Sequence, residues 1–354
     1  MTGLVQDGLA PYLDWGFEYP PLAIVPIALG GAFGNTEAVY PVTFGLLMLG
    51  CLFAIQAWVG ALAGRAAMWV VAVSPLLLGA IVRTHMDAFV VAMVAGALLL
   101  FARGRTTWAF AVLGLGTVTK LFPVLLVPLE VVWLAARGER ARIVPGLAAY
   151  AAVVVVVVAP FLSDGFFDQF RFHLERPVQI ESTPALVLSA LGESYVTGTE
   201  ERPDEFKSNG LAGGPADLVA NVFTVLLAAA YLAILWLATR GGDIRRFTLL
   251  CFAAITAFVA LGQVLSPQYL VWLLPFAAAA WAWGDRDLAV LTGVASLLTL
   301  AEFPSRYFDV VAQDTFAVLL VAARNLTLLV LLGLTVARVA GPVRSPSPDS
   351  VPRT

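Results

Sequence analysis

Long uncharged stretches decide what this chain can fold into. Residues 38–64 contain no Asp, Glu, Lys or Arg, and the same holds for residues 143–162, 218–239 and 247–265. At a rise of 1.5 Å per residue, about 20 such residues cross a hydrocarbon core of about 30 Å. Inside lipid the backbone must satisfy its own hydrogen bonds, so these stretches are predicted to be helices. That includes residues 143–162, whose six consecutive valines would suggest a strand in water. Further apolar segments at residues 66–82, 88–102, 106–119, 121–136, 269–283, 288–301 and 315–337 complete a predicted set of about eleven spans. Residues 22–33 are apolar but short and broken by Pro26, Gly30 and Gly31, and are expected to lie at the interface or re-enter without spanning.

With 60% hydrophobic and 13% charged residues in 354 and a mean hydropathy of +0.87, the composition excludes a soluble globular domain. The predicted class is an all-α polytopic membrane protein, with residues 1–337 as one integral membrane domain. Its long outer loops are residues 1–37 and 163–217, and residues 338–354 form a disordered cytoplasmic tail. No nucleic-acid partner is implied by a net charge of −3. Cys51 and Cys251 both fall in apolar runs, where buried inert thiols are the default.

The arginines sort by side. Arg65, Arg103, Arg105, Arg137, Arg140, Arg142, Arg240, Arg245, Arg246, Arg286, Arg338, Arg344 and Arg353 all fall in alternate connections or the tail, which the positive-inside tendency assigns to the cytoplasm of a plasma membrane. The other side receives Asp14, Glu18, Asp87, Lys120, the acidic loop of residues 163–217, Ser266-Pro267-Gln268 and residues 302–314. Every candidate for chemistry therefore lies on the predicted outer face.

Residues 11–21 crowd two carboxylates, four aromatics and a double proline ahead of the apolar chain. Pro20 and Pro21 fix their own φ and hold Tyr19 extended, so Asp14 and Glu18 should ride on a stiff loop, although Tyr12, Trp15 and Tyr19 also suit headgroup-level anchoring. Arg83 and Asp87 are spaced i, i+4 and would pair on one continued helix, with His85 turned away. Lys120 stands on the outer side against the topological trend, which asks for a phosphate or carboxylate partner. In residues 163–175, Phe166, Phe170 and Leu174 recur every four positions opposite Asp168, Arg171 and Glu175, the pattern of a helix lying on the membrane, and His173 and Arg176 share one face of it. Residues 197–214 are expected to be flexible. Glu130 and Arg324 each lie nine positions from the outer end of a span, about 14 Å down, and are expected to pair with each other. No zinc pattern, Gly-rich phosphate loop or nucleophile elbow occurs.

Four motifs carry a resemblance. They are Pro-Tyr-Leu-Asp-Trp-Gly-Phe-Glu-Tyr-Pro-Pro21, Lys120-Leu-Phe-Pro with Pro128 following, Arg176-Pro-Val-Gln-Ile-Glu-Ser, and Ser266-Pro-Gln-Tyr-Leu-Val-Trp-Leu-Leu-Pro275. In this order they resemble glycosyltransferase family 87, which contains actinobacterial polyprenol-phosphate-mannose-dependent alpha-mannosyltransferases. The resemblance implies a C-type multispanning fold, a polyprenyl-phosphate sugar as donor on the outer face, inversion at the anomeric carbon, no metal and no other cofactor. It implies as partners the lipid bilayer and a glycolipid or polysaccharide acceptor. It places an acidic catalytic residue in the first outer loop, here Asp14 or Glu18. Substrate binding would fall to Tyr19, Arg83, His85, Asp87, Lys120, His173, Arg176, Gln179, Glu181, Ser182, Gln268 and Tyr269. Family members carry a first span and a catalytic aspartate just ahead of the Pro-Tyr motif. The expectation is that an N-terminal helix and its aspartate are missing here, that Asp7, Asp14 or Glu18 has taken the role, or that the chain is inactive. A transporter or flippase of lipid-linked sugars and a non-catalytic scaffold remain the alternatives; paired broken helices near midplane, a transporter feature, are not evident.

Overall fold

In a computed structural model of the chain, residues 8–192, 209–211 and 213–341 are described, apart from the side chains of residues 164 and 172–175. The helices, in chain order, are α1 (Ile24–Gly30), α2 (Tyr40–Ala63), α3 (Arg65–Leu78), α4 (Ile81–Thr84), α5 (Asp87–Ala102) and α6 (Thr106–Thr117). They continue as α7 (Leu126–Ala136), α8 (Ile143–Val158), α9 (Asp164–Glu175), α10 (Thr183–Ala190), α11 (Gly214–Ala238) and α12 (Ile244–Leu261). The last four are α13 (Leu270–Ala282), α14 (Arg286–Glu302), α15 (Tyr307–Val311) and α16 (Thr315–Ala340). Two short strands, β1 (Val178–Gln179) and β2 (Gly210–Leu211), pair antiparallel. The protein is an all-α polytopic membrane protein.

Five helices are long and apolar enough to cross a membrane: Tyr40–Ala63, Arg140–Phe161, Gly214–Ala238, Ile244–Leu261 and Thr315–Ala340. The other predicted spans are helical but shorter, because prolines and glycines cut them. Gly79 ends α3 before α4 begins, and Pro123 turns residues 122–125 into a 3-10 segment ahead of α7. Within residues 22–33 the chain forms the short α1, which packs back on α2 with Gly30 against Phe44 and Tyr40.

Burial divides the bundle. Helix α12 is buried along almost its whole length between α11, α13 and α16, and α5 and α13 are buried nearly as fully. Four consecutive alanines, Ala277 to Ala280, face the interior and let neighbouring backbones approach, the packing mode available to helices that gain nothing from burying one apolar surface rather than another in lipid. Helices α8 and α11 are peripheral, and the valine run of α8 is indeed helical, with Val155 and Val156 exposed.

The connections gather at two ends. At one end Arg137 donates to Gly242 O, Arg240 to Ala340 O and Arg245 to Asp285, while Arg338 reaches Asp285 and Asp287. At the other end residues 18–20, 85, 119–122, 262–269 and 303–307 converge. Of the stretch expected to be flexible, residues 197–208 and 212 lie outside the described residues, and Gly210–Leu211 is strand β2. In the expected tail, residues 338–340 belong to α16 and residues 342–354 lie outside the described residues.

Candidate active site

The first loop is shaped by its aromatics. Tyr12 adopts φ 69° and its N–H donates to Trp15 O at 2.9 Å, closing a tight turn. The Tyr12 ring meets Phe17, Phe161 and Phe166 edge-on at centroid distances of 5.6, 6.0 and 5.4 Å, and its hydroxyl donates to Tyr19 O. Burial raises the Tyr12 phenol above its ordinary pKa, so it remains a donor. The loop is thus clamped onto α9, with Phe166 buried and Phe167 and Phe170 exposed. Within the turn, Ala10 N donates to Asp14 Oδ2 at 2.7 Å. Asp14 is spent on this exposed turn and stands outside the cavity, whereas Glu18 and Tyr19 line it. Leu22 N, beyond the double proline, donates to Val118 O at 2.9 Å and ties the loop to the end of α6.

That end of α6 delivers Lys120. Its Nζ lies 2.6 Å from Asp87 Oδ1, which also accepts Trp272 Nε1–H at 2.5 Å. Asp87 opens α5, where the helix dipole favours a carboxylate, and is 1% exposed. Rings surround the ammonium, with the Trp272, Tyr269 and Tyr19 centroids at 5.3, 5.7 and 5.8 Å. Phe122, Trp272 and Tyr269 stack in series at 4.1 and 4.0 Å. The predicted Arg83–Asp87 pair does not form, because the helix breaks at His85 between α4 and α5; Arg83 is exposed and outside the cavity. His85 lines the cavity with Nδ1 3.0 Å from Thr84 Oγ1, and burial, with Lys120 assisting against Asp87, lowers its pKa. Burial, then the nearby Glu18 and Asp87 carboxylates, raises that of Tyr19.

The Arg176–Ser182 segment forms the opposite wall. Gln179 N donates to Gln263 O at 3.0 Å and Leu265 N to Gln179 Oε1 at 3.1 Å, stitching β1 to the break after α12. Arg176, Gln179 and Glu181 line the cavity, whereas Ser182 is fully buried and caps α10 by accepting Ala185 N–H at 3.3 Å. Gln268 and Tyr269 line the cavity from the Ser266 motif, in which Ser266 Oγ donates to Gln268 Oε1 at 2.6 Å. The side chain of His173, like residue Asp7, lies outside the described residues.

A different set of deep charges meets than the sequence predicts. Arg324 pairs with Glu181 and Glu302, its Nη1 at 3.6 and 3.5 Å from their carboxyl oxygens, and not with Glu130. Glu130 is 2% exposed and has no ion-pair partner among the described residues. Residues 178–182 dip between the helices, and the non-helical carbonyl of Glu181 is satisfied by Arg324 Nη2 at 2.5 Å and Asn325 Nδ2 at 3.0 Å. Glu302, Phe303, Gln263 and Tyr307 escaped the sequence reading of the site. Glu302, Phe303 and Tyr307 were hinted at only by their place in the outer connection of residues 302–314, and Gln263, inside the predicted span of residues 247–265, carried no signal.

Together these elements enclose a cavity of about 670 Å³. Its polar end holds Glu18, His85, Lys120, Arg176, Gln179 and Glu181, and an apolar arm runs between Leu121–Leu125 and Thr224, Leu227, Phe258 and Leu261. Val124 and Thr224 are exposed on the outside of the bundle, so the arm opens toward the lipid side. Among the described residues no group of three or more His, Cys, Asp or Glu is placed to hold a metal ion. A buried polar cleft at the helix ends with an apolar side arm suits an amphiphile with a charged head.

No curated protein matches the chain. The model of glycosyltransferase family 87 matches residues 17–197, just over half of the chain, taking in Glu18, Lys120, Arg176 and Glu181 and ending before Gln268 and Tyr269. This membrane protein belongs to glycosyltransferase family 87.

Proposed function

We propose that the protein transfers a sugar, a mannose, from a polyprenyl-phosphate donor to a hydroxyl of a glycolipid or polysaccharide, with inversion, at the extracytoplasmic face of the plasma membrane. The observation that carries this reading is the two-part cavity: cations and hydrogen-bonding groups at one end, an apolar arm reaching the outer surface of the bundle at the other. A phosphosugar head fits the first and an isoprenoid tail the second.

The acceptor oxygen attacks the anomeric carbon as the bond from that carbon to the phosphate oxygen breaks. Glu18 takes the hydroxyl proton, and polyprenyl phosphate leaves with its added negative charge. Lys120 and Arg176 face that charge from the cavity wall, in a cleft whose low dielectric strengthens their attraction. His85, neutral at pH 7 because its pKa is depressed, offers a hydrogen bond without a second positive charge beside Lys120. Tyr19 and Tyr269 present ring faces on which a pyranose can rest. The arginine-bearing end faces the cytoplasm.

The test is transfer from radiolabelled polyprenyl-phosphate mannose to membrane lipids by the purified protein in nanodiscs. Glu18→Gln should lower the rate about 100- to 10,000-fold, the span of a lost general base, while Asp14→Asn leaves it within a few-fold of wild type. Equal loss in both variants would remove Glu18 from the base role. Vectorial movement of the lipid without any transfer would replace the enzyme with a flippase.

A further inference from the structure

The polar atoms around Arg324 do not balance as drawn. Glu181, Glu302 and Arg324 are each at most 1% exposed, so one cation meets two carboxyls behind the cavity wall with almost no surface open to solvent. Gln179 Nε2 donates to Glu181 Oε2. Glu181 Oε1, both oxygens of Glu302 and Arg324 Nη1 are left without a hydrogen bond. Two ionised carboxylates would enclose a net negative charge, and each would offer only acceptors to the other. The two carboxyl groups lie 3.6 and 3.5 Å from the same guanidinium nitrogen, Arg324 Nη1, so they face each other across one cation. One proton between them makes an acid that donates to its neighbour, leaves one carboxylate for one guanidinium, and matches two of the three unmatched carboxyl oxygens.

We propose that Glu181 and Glu302 share a single proton beside Arg324, forming a net-neutral clasp that holds the β1 wall of the cavity in place only while the proton is bound. Glu181 is a positioning residue in this role. Its carbonyl is gripped by Arg324 and Asn325 from α16, and the adjoining Gln179 is bonded to Gln263 and Leu265, so the wall that continues into Gln268 and Tyr269 hangs from this point. The ionisable groups facing the clasp are Arg324 from α16, Glu302 from α14, Tyr307 from α15, and Arg176 ahead of β1, which shares the field at Tyr307 with the two carboxyls. Helix α10, strand β2 and residues 262–265 carry no ionisable side chain. Burial first, and then the Glu302 carboxyl, push the Glu181 acid up to about 8 against the pull of Arg324.

The sign follows. A carboxyl whose pKa is raised on folding binds more protons in the folded state between its ordinary value of about 4.5 and about 8. Stability conferred with the proton is therefore complete below about 4.5, declines as pH rises from there, and is gone once pH has passed about 8.

The assay of this clasp rests on the proposed transfer reaction for one readout and is independent of it for two. In nanodiscs, the infrared spectrum at pH 7 should contain a protonated-carboxyl stretch that disappears above pH 8 and is absent from both E181Q and E302Q, each of which leaves one carboxylate matched to Arg324. Melting temperature should fall between pH 5 and pH 8 in wild type and level off above that, and this fall should be absent from E302Q, which needs no proton. Transfer should be about tenfold lower at pH 9 than at pH 7 in wild type, keep that alkaline limb in E302D, and lose it in E302Q. A wild-type spectrum identical to those of E181Q and E302Q, or a melting loss from pH 5 to pH 8 that persists undiminished in E302Q, overturns the clasp. Absence of transfer at every pH with the spectral and melting results intact overturns only the proposed reaction.

Discussion

Lys120 changes meaning once its neighbours are seen. Its unusual position on the predicted outer side asked for an anionic partner, and the structure supplies one in Asp87 at 2.6 Å, with Lys120 12% and Asp87 2% exposed at the side chain. The lysine is therefore half of a shielded pair as well as a candidate for the leaving phosphate. Lys120→Ala strands the Asp87 carboxylate with only the Trp272 N–H, which should cost about 3–5 kcal/mol of stability, seen as a lower melting temperature. Transfer should fall about 100- to 1000-fold through the lost phosphate contact. The double variant Asp87→Asn with Lys120→Met should recover most of the melting loss and none of the transfer. Recovery of both would confine Lys120 to a structural role.

At the scale of elements, α9 shows how an amphipathic pattern can be read correctly while its purpose stays hidden. The four-residue spacing of phenylalanines specifies a helix with one apolar face, and the helix forms. Its contact with the first loop is another matter. A Cβ at Gly165 would lie 2.1 Å from Tyr12 O, so the helix backbone runs directly against the turn that aims Glu18. Gly165→Ala must push helix and loop apart. It is expected to cost about 1–3 kcal/mol by overpacking and to slow transfer about 100-fold through a shift of roughly 1 Å at Glu18. Thermal melting and the transfer rate check the two parts. An unchanged rate in a destabilised protein would detach the α9 contact from positioning.

For the whole molecule, the sorting of charge along the chain becomes a sorting of ends. Arg137, Arg240, Arg245 and Arg338 bond into one end, and the cavity occupies the other. In a background with Cys51 and Cys251 replaced, cysteines at Arg140 and Arg245 should react with a membrane-impermeant maleimide only after permeabilisation, and a cysteine at the exposed Asp217 should react without it. The reverse pattern would turn the cavity toward the cytoplasm and take the extracytoplasmic reaction with it.

The sequence by itself determined the class and most of the helices. An uncharged run in lipid has no alternative to internal backbone bonding, and an arginine in a connection carries a topological sign whatever packs beside it. Polar groups on the outer side and the motifs that carry the family resemblance together marked Glu18, Tyr19, His85, Lys120, Arg176, Gln179, Glu181, Gln268 and Tyr269, which the fold gathers around one cavity. Only the tertiary structure decided who meets whom. Asp14 closes its own turn, Ser182 caps α10, Asp87 takes Lys120 instead of Arg83, and Arg324 takes Glu181 and Glu302 instead of Glu130. The reason is physical: lipid-facing and core-facing sides of these helices are equally apolar, so the pattern along one helix does not name its neighbour. Two buried charges at equal depth look like partners until packing turns them toward different helices.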